Sequence, residues 1–354
     1  MIDTSIQVNK LPELVLPAGD LEKLYTAVIF GADAVYAGGY QYSLRAYAGN
    51  LSLQELQTGV DYARQLGKRV YITVNILAHN EDLKDLPAYL EKLEEIGVDG
   101  MIISDLGIIR LARRYAPTIP ITISTQANVT NYEAAAFYRD LGARRIVAAR
   151  ELSLDEIIII KERTGLEIEM FIHGAMCMSY SGRCLLSSFM TGRSANRGEC
   201  AHPCRYKYTL MEEKRPGEYF PIHEDQRGSY ILNSRDLCLL EQLPRLVEAG
   251  IDAFKIEGRM KSPLYLAVVT RVYREALDHY RNGTFSEPAQ LEYWLSQLQA
   301  VATRPFTRGF IDGRNADLQD PENNKNQDRA EFCGMVQGYD EKRCWIEVEQ
   351  RANF

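Results

Sequence analysis

No apolar run in this 354-residue sequence approaches the roughly 20 residues that a membrane-spanning helix needs. The opening Met1-Ile-Asp-Thr-Ser-Ile-Gln7 also lacks the basic and apolar regions of an export signal, so a cytoplasmic location is expected. Net charge is −7, which argues against a broad polyanion-coating surface, because such binding rests on a basic field. A local basic channel remains compatible with it. Glycine-rich phosphate loops are missing, since Gly38-Gly39 and Gly192 lack the spacing. There is no G-x-S-x-G elbow, and His223-Glu-Asp-Gln-Arg227 fails as a zinc-protease motif because its last position is arginine. At 46% hydrophobic and 25% charged residues, the composition is that of an ordinary soluble protein. Its length suits one barrel-sized core plus a small appendage, or two modest domains.

Cysteine, by contrast, is concentrated. Five of the seven, Cys177, Cys184, Cys200, Cys204 and Cys238, fall in one stretch with spacing C-x6-C-x15-C-x3-C-x33-C. In a reducing compartment such a group reads as metal-binding or catalytic before it reads as disulfides, and an odd total leaves a disulfide scheme one partner short. The spacing lacks the C-x2-C pairs of a zinc ribbon but can bring four thiolates to an iron-sulfur cluster or a zinc ion. A nucleophilic cysteine is the other chemical reading, with His173 as base for Cys177; inert buried thiols are the bland one. Cys333 and Cys344 stand alone and are expected in a core.

A weak repeat organises the first 280 residues. Gly31-Ala-Asp-Ala-Val-Tyr36, Gly97-Val-Asp-Gly-Met-Ile102, Gly142-Ala-Arg-Arg-Ile-Val147 and Gly250-Ile-Asp-Ala-Phe-Lys255 each place a glycine before a short apolar run. Glycine accepts the left-handed conformation that closes a helix, and a continuous apolar run suits a strand covered on both faces. Further strands are expected at Leu14–Ala18, Arg69–Asn75, Ile121–Asn128 and Glu167–His173, and helices at Asp82–Ile96, Ser153–Arg163, Leu239–Glu248 and Pro263–Tyr280. Eight alternating units predict an α/β protein with a (β/α)8 TIM-like barrel over residues 1–284, a doubly wound sheet being the alternative. Residues 174–236 form a cysteine-rich insertion after strand 7, with a hairpin expected at Tyr206–Met211 and Tyr219–Ile222. Residues 285–330 read as a helix and polar linker, and 331–354 as the start of a small, truncated C-terminal β-domain.

Polar side chains gather at the expected C-terminal strand ends: Asn75, Asp105, Gln126, Asn128, Arg150, Glu169, His173, Lys255, Glu257 and Arg259. Barrel interiors favour apolar residues, so charges there are costly unless paired or engaged with ligand. With Lys261 and Arg183, Arg193, Arg197 and Arg205 of the insertion, they give the barrel mouth a positive potential.

The run Glu169-Met-Phe-Ile-His-Gly-Ala-Met-Cys-Met-Ser-Tyr-Ser-Gly-Arg-Cys-Leu-Leu-Ser187 resembles the signature of the peptidase U32 (collagenase-like) family. Similarity continues through Leu16-Pro-Ala-Gly19, Ser124-Thr-Gln-Ala-Asn128, Tyr230-Ile-Leu-Asn-Ser-Arg-Asp236 and Lys255-Ile-Glu-Gly-Arg-Met-Lys-Ser262, spanning roughly residues 12 to 313. The motif is most similar to the family's tRNA uridine 5-hydroxylase branch. That resemblance implies a [4Fe–4S] cluster, oxygen-independent hydroxylation of a wobble uridine in tRNA, and prephenate, a small carboxylate co-substrate, as oxygen source. It implies Cys177, Cys184 and Cys204 as ligands, with Cys200 or Cys238 as the fourth. Glu169, His173, Glu257 and Arg259 are the candidates for catalysis, and Asn75, Gln126, Asn128, Arg150, Arg183, Arg205, Lys255 and Lys261 for substrate binding. A homologous partner chain is a further expectation. The rival reading is a peptidase acting on unfolded or collagen-like peptide.

Overall fold

The computed structural model describes residues 11–43, 50–177, 179–197, 199–201, 203, 210–211, 219–220, 235–313, 330 and 332–351. Seven strands follow one another around a barrel: β1 (Glu13–Ala18), β2 (Ala34–Gly38), β3 (Arg69–Val74), β4 (Gly100–Ile103), β5 (Ile121–Ile123), β6 (Ala143–Val147) and β7 (Glu167–Ala175). Strands β8 (Leu210–Met211), β9 (Tyr219–Phe220) and β10 (Asp236–Cys238) come next, and the eighth barrel strand is β11 (Ala253–Ile256). It pairs in parallel with both β7 and β1, closing an eight-stranded, all-parallel barrel. This is the (β/α)8 barrel expected from the repeat.

The local reasons are those the sequence advertises. All four repeat glycines take positive φ: Gly31 at 109°, Gly97 at 72°, Gly142 at 87° and Gly250 at 73°. Each ends a helical segment and redirects the chain into a buried strand. Helices α1 (Leu21–Ile29), α2 (Leu53–Gln65), α3 (Leu86–Ile96), α4 (Leu106–Tyr115), α5 (Tyr132–Asp140) and α6 (Leu154–Thr164) alternate with the strands. Ser52 and Ser153 start α2 and α6 with reciprocal capping boxes to Glu55 and Glu156. Then come α7 (Leu186–Thr191) in the insertion, α8 (Leu243–Glu248), α9 (Pro263–Arg281) and α10 (Pro288–Val301). Their apolar faces and the outward faces of the strands form one continuous core, including Leu14, Ile72, Leu90, Phe254, Tyr273 and Trp294. The barrel axis holds only a small separate apolar cluster of Val15, Ala34, Tyr36, Tyr71, Ile102 and Ala253.

Three expectations need correction. Helix α3 starts at Leu86, not Asp82, and Pro87 lies in its first turn. Strand β5 stops at Ile123 because Ser124 caps a 3-10 turn, Thr125–Ala127, which Asn128 closes in the left-handed region. The helix expected over Leu239–Glu248 opens as a 3-10 turn, Leu240–Gln242, and is α-helical only from Leu243. β10 runs antiparallel to β7, Asp236 opposite Ala175 and Cys238 opposite His173, and carries β12 (Phe306–Thr307) on its other edge. The expected hairpin is present where described, as β8 paired with β9, its remainder lying outside the described residues. Residues 317–329, expected as linker, also lie outside. β13 (Gly334–Asp340) and β14 (Trp345–Gln350) form an antiparallel pair whose apolar residues Val336, Tyr339, Ile346 and Val348 are exposed. Cys344 is exposed in its turn and not part of a core.

Candidate active site

Side chains from the C-terminal ends of the barrel strands enclose a polar pocket of about 100 Å³. Its lining includes Tyr36, Thr73, Asn75, Gln126, Arg150, Phe171, Lys255, Glu257 and Arg259. The sequence reading had singled out six of these, Asn75, Gln126, Arg150, Lys255, Glu257 and Arg259, and the fold brings them together.

Each is held by its surroundings. The Arg259 guanidinium donates to Ser43 Oγ at 2.8 Å and Asn50 Oδ1 at 2.6 Å. That clamp exists only because Gly38 has no side chain: a Cβ there would lie 2.3 Å from Ser43 Oγ and 2.4 Å from Arg259 Nη2. Arg150 stacks over the Phe171 ring at 4.0 Å and donates to the Ala175 carbonyl at 3.1 Å. Glu257 is placed through its backbone, its N–H donating to His173 O at 2.8 Å and its carbonyl accepting from Tyr265 at 3.0 Å. Gly174, at φ 107°, permits this close approach, since a Cβ there would sit 2.5 Å from Glu257 O. Lys255 lies 4.1 Å from the Tyr36 ring centroid and donates to Glu169 Oε1 at 2.5 Å.

Several expected site residues do other work. Glu169 does not line the pocket; it is fully buried beneath it, bonded to Lys255 and, at 3.1 Å, to Arg145. Burial opposes its charge, but these two cations hold the carboxylate below its usual range. His173 is also away from the pocket, only 2% exposed, with Nδ1 3.2 Å from Tyr273 Oη. Burial, helped by Lys261, depresses its pKa to about 3. Its Nδ1 faces the Tyr273 hydroxyl within the core whereas Cys177 is exposed, and these two described residues share no hydrogen bond of the kind a nucleophile and its base would make. Asp105 caps α4 through Ile108 N. Lys261 bonds Thr303 Oγ1 at 2.7 Å, beside the pocket rather than in its lining. Arg205 lies outside the described residues, as does the side chain of Arg197.

The insertion is latched onto the mouth. Asn128 Nδ2 donates to Tyr180 O at 3.0 Å and Arg183 Nε to Gln126 O at 2.8 Å, giving both residues positioning contacts. Ser181, in the left-handed region at φ 42°, donates from both N and Oγ to the Glu151 carboxylate at 2.6 Å. Leu77 N donates to Asn196 O at 3.4 Å. These contacts tie the stretch just before Cys184 to residues at the barrel mouth.

As for the thiols, Cys177 is exposed and Cys184 and Cys200 are half-buried. Cys184 Sγ accepts the Leu186 N–H at 3.3 Å, and Ala201 N donates to Ser187 Oγ at 3.0 Å, tying the Cys200 stretch to the Cys184 stretch. Cys238 Sγ lies 3.7 Å from Tyr273 Oη, and burial pushes its pKa up to about 11. None of the described cysteines is in a disulfide. Among the described residues no three His, Cys, Asp or Glu side chains converge as a metal site would require, and Cys204 lies outside them. Any four-ligand set that includes Cys204 also includes three of the described thiols, and these do not meet at a common centre here, so the cluster rests on the sequence resemblance and not on this geometry.

A family model for peptidase family U32 matches residues 19–320. The chain belongs to peptidase family U32. Among similar U32 proteins, tRNA hydroxylation protein P1 of Bacillus subtilis is 40% identical over 98% of this chain and 82% of its own length. The tRNA hydroxylation protein P of Escherichia coli is 38% identical over 92% of this chain and 81% of its own length. An uncharacterised protease of Methanocaldococcus jannaschii is 40% identical over 97% of this chain and 80% of its own.

Sequence reasoning missed Glu13, Tyr36, Ser43, Asn50, Arg145 and Phe171. A signal existed for Arg145, which interrupts the apolar run after Gly142 at an inward-facing strand position.

Proposed function

We propose that this U32 protein hydroxylates a wobble uridine of tRNA without molecular oxygen, using prephenate as oxygen source. The observation that carries this reading is the near full-length similarity to two proteins named for tRNA hydroxylation, joined to a polar pocket at the catalytic end of the barrel. Such an enzyme works in the cytoplasm, where its RNA is.

Cys177, Cys184 and Cys204, with Cys200 or Cys238, would hold a [4Fe–4S] cluster. When bound, the cluster would supply one-electron redox capacity. The protein's own groups do the rest. Arg150, Lys255 and Arg259 put three cations on a small pocket, suited to the carboxylates of the co-substrate. Asn75 and Gln126 offer amide donors and acceptors to a base turned out of its stack. Glu257, in the lining, is placed to accept a proton. The exposed Arg183 and Arg193 offer charge to the RNA backbone, and a homologous chain is a plausible second component on the same substrate.

The test is direct. Anaerobically reconstituted protein, given undermodified tRNA and prephenate labelled with heavy oxygen on its ring hydroxyl, yields hydroxyuridine carrying the label. Unlabelled product, or none with a full complement of iron, would refute the donor assignment. The peptidase reading gains no support from the His173 geometry described above.

A further inference from the structure

The barrel axis is charged where apolar packing is usual. From the N-terminal end upward, Glu13 Oε2 accepts from Arg145 Nη1 at 2.7 Å, the same nitrogen donates to Glu169 Oε2 at 3.1 Å, and Glu169 Oε1 accepts from Lys255 at 2.5 Å. The four side chains come from β1, β6, β7 and β11, and each residue is no more than 6% exposed. Tyr71 donates to Glu13 Oε1 at 2.7 Å, and Arg145 Nε and Nη2 bind Glu167 Oε2, so the lower rungs are tied on several sides. The ladder alternates negative, positive, negative, positive, and only its top rung, Lys255, lines the pocket.

Buried ion pairs seldom repay the desolvation of their charges, so a stability role alone is a weak explanation for this one. We propose that the Glu13–Arg145–Glu169 ladder holds Lys255 as an ammonium aimed at the pocket, making Glu169 and Arg145 positioning residues for an anionic co-substrate. The inference rests on the pocket being the co-substrate site.

Around Lys255 the charged and titratable neighbours are Glu169, Arg145, Arg150, Tyr36, Glu257 and Arg259. The Tyr36 hydroxyl donates to the Ile256 carbonyl at 3.0 Å. The net shift of Lys255 is downward: burial is the largest influence and, with Arg145 and Arg150, disfavours its charge, while Glu169 offsets part of that. With Glu169→Gln those influences remain and the opposing one is gone, so the lysine loses its proton at a lower pH.

The experiment follows prephenate binding calorimetrically from pH 6 to 9. Wild-type affinity is expected to be flat to at least pH 8. Glu169→Gln is expected to bind on the order of tenfold to a hundredfold more weakly at pH 8 and to recover toward pH 6. The double variant Glu169→Gln/Lys255→Arg is expected to lose that pH dependence, because arginine keeps its charge. Should Glu169→Gln fail to fold, Glu13→Gln at the far end carries the same test, with a smaller shift in the same direction. A flat Glu169→Gln or Glu13→Gln profile with wild-type affinity, while Lys255→Met abolishes binding, would overturn the ladder and leave the pocket standing. Wild-type binding by Lys255→Met would instead remove the pocket reading on which it rests.

Discussion

Gly38→Ala isolates one element of the pocket from the stability of the barrel. Gly38 ends β2, and the added methyl carbon would meet three side-chain atoms: Ser43 Oγ at 2.3 Å, Arg259 Nη2 at 2.4 Å and Asn50 Oδ1 at 2.7 Å. All three lie well inside ordinary van der Waals separation, yet none is backbone, so the barrel strand can stay while the clamp opens. What opens is a pair of charge-assisted hydrogen bonds on a guanidinium only 3% exposed. Each such bond is worth about 1.5–3 kcal/mol. Allowing one of them to be remade through a shifted rotamer, the loss is about 2–3 kcal/mol, or on the order of 30- to 150-fold in kcat/KM. The assay is kcat/KM for tRNA hydroxylation beside the melting temperature. A melting temperature lowered by only a few degrees, the stability cost of those bonds, together with that kinetic loss is expected. Wild-type kcat/KM would show that Arg259 is not held for the reaction, and loss of the folded state would show that the clamp is structural.

Three further outcomes follow from other parts of the molecule. Glu151→Ala removes both hydrogen bonds that hold Ser181 in its left-handed conformation, at a cost of about 2 kcal/mol to the latch, and limited proteolysis should then cut between residues 179 and 203 faster than in wild type. His173 gives an acid-sensitivity test: its folded pKa of about 3 lies below the roughly 6.5 of an unfolded histidine, so below pH 6.5 only the unfolded state takes the proton. Its contribution is neutral above that pH and lowers stability by about 1.4 kcal/mol per unit as pH falls toward 3, a slope that denaturant unfolding at pH 7 and pH 5 should show reduced in His173→Phe. Cys184→Ser should lose the brown colour of anaerobically purified protein and its activity while keeping the barrel's circular dichroism; a colourless wild type with stoichiometric zinc would contradict the cluster.

Why the barrel was legible and parts of the site were not is a matter of range. Gly31, Gly97, Gly142 and Gly250 mark helix ends feeding buried strands, and both signals are local in sequence. Ser153 and Glu156 spell out a capping box within four positions. Strand β10 carries no such mark: three residues long, it exists because β7 and β12 flank it. The axial ladder is harder still, since Glu13 and Arg145 come from β1 and β6 and become partners only when the barrel closes. Six of the polar residues at strand ends line one pocket, and inward or outward direction separates them from the others. Arg150, Lys255, Glu257 and Arg259 turn into the pocket, whereas Glu169 lies below it and His173 turns toward α9. The cysteines stand out in the sequence as a dense group, but meeting at one centre depends on the path of the insertion, which short-range pattern does not encode, and no three of the described ones meet.

The central claim is that this chain makes hydroxylated wobble uridine. Nucleoside mass spectrometry of tRNA from a strain lacking the gene, and any paralogue, measures it most directly, with complementation by wild type and by Cys184→Ser. The account predicts that the hydroxyuridine-derived nucleosides vanish, return with wild type and stay absent with Cys184→Ser. Unchanged nucleosides in the deletion strain would contradict it.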